Sequence, residues 1–255
     1  MLRRIGTIAH YTLLEALRNR LIWLVGLAVL GGLGLGGFLG ELAVTEGAQT
    51  QGALLGAFFR LAAVFLLAAF VTTSMVREFN EGVLELTLSL PLPRGAWLLG
   101  KFAGFAALAV LFGAVFGIGL LPFCPPGQAL IWGLSLICEL WIVAALCLLC
   151  VVTFSQVMAA LSAALAFYLL ARSIAAMQLM GQSSPSENTL SRQAVNFTVD
   201  ALATLLPRLD EFTCSEWLAY GNASWTVLPP IAAQSLIYLL LLGAAALFDL
   251  YRKNL

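Results

Sequence analysis

Six long apolar stretches, separated by shorter polar segments, dominate the pattern of the chain. As helices, which rise about 1.5 Å per residue, all six are long enough to cross about 30 Å of hydrocarbon. They lack the alternating period of barrel strands, and a helix satisfies its own backbone polar groups where water is absent. The predicted membrane-spanning helices are 21–40, 53–76, 98–121, 129–152, 157–180 and 230–250.

The segment before the first stretch, residues 1–20, has apolar positions at roughly helical spacing and arginines at the water boundary. This pattern favours an amphipathic helix lying along the membrane surface. Charges scattered through the segment argue against a cleaved signal peptide, as does the lack of a small-residue cleavage site. The residues that carry the pattern are Ile5, Ile8, Leu13, Leu17, Arg18 and Arg20.

A charged segment, 77–94, joins the second and third stretches. Glu78, Glu81 and Glu85 are spaced three and four residues apart, which places their carboxylates along one side of a helix. Such a helix would suit docking to a soluble partner. The alternative is a solvated loop that only joins two spans, since amphipathicity alone does not separate the two.

The longest segment outside the predicted spans is 181–229. It begins with a serine-rich and proline-rich loop, continues as an amphipathic helix that ends at Pro207, and then offers a second short helix over 210–220. Aromatic side chains of this second helix suit the headgroup level of a membrane. We expect the segment to form a helical cap.

Composition indicates the same class of protein. Apolar residues make up 61% of the chain and charged residues 10%, and the mean hydropathy is +0.97. So little polar surface excludes an ordinary water-soluble domain and predicts a multi-pass membrane protein. The formal net charge of +0 indicates no nucleic-acid partner.

Basic residues set the expected orientation. Most of the 13 lysines and arginines fall on one side of the predicted spans, which by the positive-inside rule predicts that both termini are cytoplasmic. These residues are Arg3, Arg4, Arg18, Arg20, Arg77, Arg94, Lys101, Arg252 and Lys253.

Three charged residues lie inside predicted spans: Arg60, Glu139 and Arg172. A charge facing lipid is costly, so each is expected to have a partner. Counted along the helices, all three lie about 11 to 15 Å below the outer boundary, which allows a pair or a triad. Two roles stay open at this point, a buried ion pair that fixes helix register and a group that faces a substrate.

Two cysteines, Cys124 and Cys214, fall on the outer side of the predicted topology. An oxidising compartment would permit a disulfide between them, and two free interfacial thiols are the alternative. Cys147 and Cys150 have the spacing of a redox motif, but they lie in a predicted span, where small packing residues are the better interpretation.

The patterns in this sequence that resemble enzyme signatures are incomplete. Gly95 to Lys101 matches the GxxxxGK pattern, yet Phe102 stands where the Mg²⁺-binding Ser or Thr is required, and the segment enters a predicted span. The sole histidine, His10, excludes a multi-histidine metal site. We therefore expect no catalytic site, metal or cofactor on this chain.

The charged segment resembles the cytoplasmic loop of ABC type-2 transporter permeases, in which an acidic coupling helix is followed by a proline break, a basic residue and a Gly-Lys pair. Looser similarity appears before the first span, after the cap helix and at 248–255. The matching residues are Arg77, Glu78, Gly82, Glu85, Pro91 or Pro93, Arg94, Gly100, Lys101, Glu15, 18–20 and 206–212.

The resemblance implies one all-α permease domain over 1–255, of the type V ABC exporter kind. It has six spans, an interfacial helix (1–20), a cytoplasmic coupling loop (77–94) and a periplasmic cap (181–229). It further implies a homodimer in the bacterial inner membrane and two copies of a cytoplasmic ATPase, which bind the ATP and Mg²⁺. The implied coupling residues are Arg77, Glu78, Glu81, Gly82, Glu85 and Arg94.

Transport of a substrate is the function that the resemblance implies first. The alternative is a mechanical transmitter, loosely similar to the nitrous-oxide-reductase maturation permease group, that drives a periplasmic partner in cofactor or metal-site maturation. The long cap at 181–229 favours this alternative. A membrane enzyme or an ATPase-independent channel is a third class, disfavoured because no catalytic constellation is found.

Overall fold

The computed structural model describes residues 2–42, 47–81, 93–154, 156–182, 198–199, 201–203 and 206–252. This part of the chain consists of helices and connecting turns, without a strand. Its longer helices are α1 (Leu2–Arg18), α2 (Leu21–Leu42), α3 (Gly47–Asn80), α4 (Arg94–Leu120), α5 (Pro126–Thr153), α6 (Val157–Gln182), α7 (Ser215–Tyr220) and α8 (Leu228–Arg252). Two 3-10 turns lie at Leu209–Glu211 and Trp225–Val227.

Six of these helices, α2 to α6 and α8, are long and apolar enough to cross a membrane. This confirms the prediction of a multi-pass, all-helical membrane protein. The helices extend beyond the predicted ends at the charged segment, since α3 continues to Asn80 and α4 begins at Arg94. The length of the apolar stretches predicts where the spans lie. The helices themselves continue beyond these stretches into charged residues.

Helix α5 lies at the centre of the bundle. In its most apolar stretch 67% of the residues are buried, against 17% in α8 and 22% in α2. It packs against α3, α4, α6 and α8. Glycines allow its closest approach to α4: a methyl group on Gly117 would lie 3.6 Å from the Cα of Gly133. The outer helices α2 and α8 present apolar surface that suits lipid.

The glycine-rich half of α2 packs within the chain on one face. Gly32 lies against Phe59 of α3, and Gly36 lies against Leu55 and Phe123, so a side chain at either position would displace a neighbour. By contrast, no described atom outside α2 lies within 4 Å of the Cβ positions of Gly31, Gly34 and Gly37. The face that carries Gly32 and Gly36 therefore allows the close packing of α2 on α3.

The bundle has two ends, which we name by their contents. The basal end carries α1, the last turn of α3 and the first turn of α4; the capped end carries residues 206–221, which we call the capped segment. Helix α1 packs along α4, with Ile8 over Gly100 and Thr12 over Gly104. The predicted N-terminal amphipathic segment is thus a helix whose buried side faces α4.

Candidate functional site

The capped segment folds back onto the bundle between α3, α5 and α6. It contains the 3-10 turn at Leu209–Glu211, an irregular residue, Thr213, and α7. Its apolar side chains Leu209, Phe212 and Leu218 are buried, and Leu218 packs against Gly52 and Gly56 of α3. Burial of these side chains brings the backbone around Thr213 below the surface of the bundle.

A cluster of polar side chains meets this segment inside the bundle. We call it the polar cluster, and its members are Arg60 on α3, Ser135 and Glu139 on α5, Tyr168 and Arg172 on α6, and Thr213. Ser135, Glu139 and Thr213 are fully buried, and Tyr168 is nearly so. The cluster therefore joins three membrane-spanning helices to the capped segment.

Glu139 is the acceptor at the centre of the cluster. Its Oε1 accepts a hydrogen bond from the Tyr168 hydroxyl at 2.8 Å, and its Oε2 accepts one from Thr213 Oγ1 at 2.6 Å. Arg172 Nη1 lies 3.5 Å from Oε1 as an ion pair. A buried carboxylate costs several kcal/mol unless it is paired and hydrogen-bonded, so these contacts offset the cost of its position.

Both arginines of the cluster bind the backbone of the capped segment. Arg172 Nη1 donates to the carbonyl of Phe212 at 2.8 Å and also to that of Leu209. Arg60 Nη1 donates to the carbonyl of Thr213 at 3.3 Å. Because these carbonyls lie outside regular secondary structure or at its edge, side chains take the place of the usual backbone donors.

Thr213 uses all of its polar groups in this site. Its amide donates to Ser135 Oγ at 3.0 Å, its hydroxyl binds Glu139, and its carbonyl accepts from Arg60. The backbone dihedral φ is 45°, a left-handed conformation that is unfavourable for a β-branched residue. Such a conformation persists only where the surroundings determine it. Here α3 and α5 hold it in place.

The structure brings together all three intramembrane charges expected from the sequence. Glu139 pairs with Arg172, one of the arrangements that the sequence left open, whereas Arg60 binds the Thr213 carbonyl in the described structure. Sequence reasoning missed Ser135, Tyr168 and Thr213. A signal existed for two of them, because Ser135 and Tyr168 each lie four residues before a predicted charge and thus on the same helix face.

A second polar network lies at the basal end. Glu15 of α1 accepts hydrogen bonds from Ser74 at 2.8 Å and from Arg77 Nη2 at 2.5 Å, both on α3. Glu78 of α3 pairs with Lys101 of α4, and both side chains are largely buried. We call these five residues the basal network. It fixes α1 and α4 to the end of α3.

The predicted coupling residues that the structure describes lie in three different settings. Arg77 and Glu78 lie in the last turn of α3 and are engaged by α1 and α4, so Glu78 points into the protein and not along an open docking face. Glu81 follows α3 and is exposed. Arg94 opens α4 and donates to the Leu250 carbonyl at 3.2 Å. Gly82 and Glu85 lie outside the described residues.

The four cysteines considered for redox roles are all free thiols in the structure. Cys214 Sγ donates to the Asp210 carbonyl at 3.2 Å, and Cys124 is buried near Gly52. A disulfide between Cys124 and Cys214 stays a prediction. Cys147 and Cys150 are buried in α5, as packing residues would be.

In the part of the chain that the structure describes, no three His, Cys, Asp or Glu residues form a group that could hold a metal ion. Comparison of the sequence with protein-family models and with curated proteins gives no match. The two polar networks and the resemblance of the charged segment are thus the features that bear on function.

Charge exchange tests the pairing at the centre of the polar cluster. Reversal of one partner, Glu139→Arg or Arg172→Glu, should cost about 3 to 5 kcal/mol because it leaves uncompensated charge in the bundle. The double exchange Glu139→Arg with Arg172→Glu should recover part of that loss, as expected for directly coupled residues. Thermal unfolding of the purified protein measures both.

The matched control is the exchange of Glu139 with Arg60, which has the same charges but binds the Thr213 carbonyl. It should recover less than the exchange with Arg172. Equal recovery by both exchanges would show that only the total charge of the cluster matters, and no recovery by either would exclude the Glu139–Arg172 pair.

Thiol labelling tests the state of Cys124 and Cys214. Burial raises the pKa of both thiols above the ordinary value, so each stays protonated at neutral pH. When the two are free thiols, as they are in the structure, alkylation without reductant should thus be slow at pH 7 and accelerate as the pH rises beyond the usual thiol range. Mass spectrometry of the alkylated peptides measures each cysteine separately.

In the Cys214→Ser variant, Cys124 cannot be bridged to position 214, so its labelling gives the rate for a free buried thiol. Native protein in which both cysteines react only after reduction, at every pH, would contradict the free thiols and establish the disulfide.

Proposed function

We propose that this chain is the membrane permease subunit of an ATP-binding cassette transporter. Two copies form a transmembrane dimer in the bacterial inner membrane, and each copy binds one cytoplasmic ATPase. ATP and Mg²⁺ are bound by the ATPases and not by this chain. ATP-driven closure of the ATPases moves the permease and exports a substrate.

The observation that carries the proposal is the position of the basal network. The charged segment that resembles a coupling loop connects the end of α3 to the start of α4. The basal network fixes both of these helix ends to each other and to α1. A force applied to either of these helix ends would therefore act on α1, α3 and α4 together.

Helix α3 provides a route from the basal end to the polar cluster. Arg77 and Arg60 are seventeen residues apart on this continuous helix, a distance of about 26 Å. Arg77 binds α1, and Arg60 binds the capped segment. A rigid helix with a polar contact at each end can carry a displacement from the side that binds the ATPase to the opposite side.

The orientation assigned here follows from the basic residues. The basal end carries Arg3, Arg18, Arg20, Arg77, Arg94 and Arg252. By the positive-inside rule, this distribution supports the proposal that the basal end and both termini face the cytoplasm and that the capped segment faces the periplasm. The exposed side of α1 would then lie at the inner membrane surface.

A mechanical transmitter is the second candidate function. It is favoured by the direct attachment of the capped segment to α3, because motion of α3 would move a surface outside the membrane without a pore. In the genome, an ATPase gene beside this one would support both candidates. An adjacent gene for a periplasmic protein would favour the transmitter.

Charge reversal at the exposed residue after α3 tests the proposed coupling role. Glu81→Lys should lower co-purification of the partner ATPase about tenfold, or uncouple ATP hydrolysis from transport, because repulsion replaces attraction at the docking surface. Glu41→Lys makes the same change at an exposed site on the opposite end of the bundle and should leave both measurements unchanged.

Normal ATPase binding together with normal coupled hydrolysis in Glu81→Lys would remove Glu81 from the coupling role. Equal losses in Glu81→Lys and Glu41→Lys would point to a general effect of charge on assembly, which would also contradict a docking surface at the basal end.

A further inference from the structure

The polar cluster contacts the capped segment through the groups that every peptide offers. A hydroxyl oxygen, Ser135 Oγ, accepts from the amide of Thr213, and a guanidinium, that of Arg60, donates to its carbonyl. Arg172 donates to the preceding carbonyl, that of Phe212. One contact depends on side-chain identity, the bond from the Thr213 hydroxyl to Glu139. Side chains of three helices thus bind an irregular stretch of backbone.

The site contains more donors than the capped segment uses. Trp132 is fully buried, and its Nε1 has no hydrogen-bond partner among the described residues; the same holds for Nε of Arg60. Trp132 lies one turn before Ser135 on α5 and beside Gly56 of α3, one turn before Arg60. A buried donor without an acceptor is costly, so these two groups are suited to bind a further acceptor. The capped segment does not satisfy them, although Oδ1 of its Asp210 is also buried and without a partner among the described residues.

The charges of the cluster select the class of ligand. Two guanidinium groups and one carboxylate leave the cluster with one positive charge, which disfavours a cation, and the Glu139 carboxylate between them disfavours an anion placed beside it. A neutral peptide group carries no charge to be repelled. Its carbonyl can face an arginine, and its amide can face a hydroxyl. A threonine or serine side chain would add the hydroxyl that Glu139 accepts.

We propose that the polar cluster is a binding site for a peptide that carries threonine or serine, and that Thr213 is its internal occupant. The left-handed backbone of Thr213 fits this role, since a separate peptide is free to reach the same groups without that conformation. The inference deepens the proposed function by naming a ligand class, and it rests on that function only for how the bound peptide would be used.

An internal occupant competes strongly with a free peptide, because a tethered segment has an effective concentration in the millimolar range. Apparent affinity for an external peptide falls with the fraction of protein whose site is open. Weakening the internal contact should therefore strengthen external binding, the opposite of what damage to a binding site produces.

The experiment measures binding of a fluorescent peptide with the sequence of residues 208–217, with alanine in place of Cys214 and Ser215 so that the threonine carries its only hydroxyl, to the full chain in lipid nanodiscs. Thr213→Val removes the hydroxyl and keeps the side-chain shape. It should bind the peptide at least about tenfold more tightly than native protein. Thr213→Ser keeps the hydroxyl and is the matched control.

Two further arms show that the gain arises at the polar cluster. A peptide with valine in place of its threonine should bind the Thr213→Val protein at least about tenfold more weakly than the threonine peptide. Adding Glu139→Gln to the Thr213→Val protein should reduce that difference between peptides. A folded Thr213→Val protein that binds neither peptide better than native protein does would overturn the proposal.

Should Thr213→Val fail to fold, native protein is exposed to about millimolar threonine peptide carrying a photo-crosslinker. Cross-links to α3, α5 or α6 near the polar cluster support the site, and cross-links confined to other places overturn it. No ATPase is present in either assay, so loss of peptide binding and loss of ATPase association are separate failures.

The peptide could be transported cargo or a segment of a periplasmic protein. Proteoliposomes that contain the permease and its ATPase separate the two sources. ATP-driven accumulation of the peptide identifies cargo, and binding without accumulation identifies a partner segment. Both outcomes uphold the ligand class, and absence of binding in the nanodisc assay contradicts it.

Discussion

The carboxylate of Glu139, midway along the central helix α5, constrains the structure around it. A charge at this depth has to be satisfied by protein groups, because neither lipid nor core side chains can do so. Tyr168, Arg172 and Thr213 satisfy it, and these residues come from α6 and from the capped segment. The same requirement therefore favours the packing of α6 against α5 and the entry of a segment from outside the spans into the bundle.

The basal network has a different physical character. Its residues lie at helix ends, and Arg77 is about half exposed, so single contacts there contribute little to stability. Their contribution is to fix the positions of the helix ends. Glu15 and Lys101 hold the two helix ends that border the charged segment, and α3 then links this region to the polar cluster. Contacts at both ends of one helix are what the proposed transmission of motion by α3 requires.

The sequence predicted most of the fold because apolar length is a strong signal in a membrane protein. It also predicted that Arg60, Glu139 and Arg172 lie at similar depth, since distance along a helix follows from residue number. It did not predict the inward position of Glu78, because the partner Lys101 is twenty-three residues away and periodicity contains no information on which neighbour a carboxylate will meet. Gly82 and Glu85, also proposed for coupling, lie outside the described residues.

The contacts of Thr213 could not be predicted from the sequence for a related reason. Neither its backbone conformation nor its three contacts follow from local pattern, since all of its polar partners lie at least seventy residues away along the chain. Ser135 and Tyr168 were within reach, because each shares a helix face with a charge that needed partners. Side chains one turn from an intramembrane charge are thus the most informative positions to add to such a prediction.

Hydrogen exchange in the capped segment tests most directly whether the polar cluster holds this segment inside the bundle. The amides of Phe212, Thr213 and Trp217 should exchange nearly as slowly as those of the central turns of α5, because these residues are buried and each amide donates a hydrogen bond. Mass spectrometry of the protein in nanodiscs resolves both regions. Complete exchange of 209–218 within seconds, while α5 stays protected, would contradict the account.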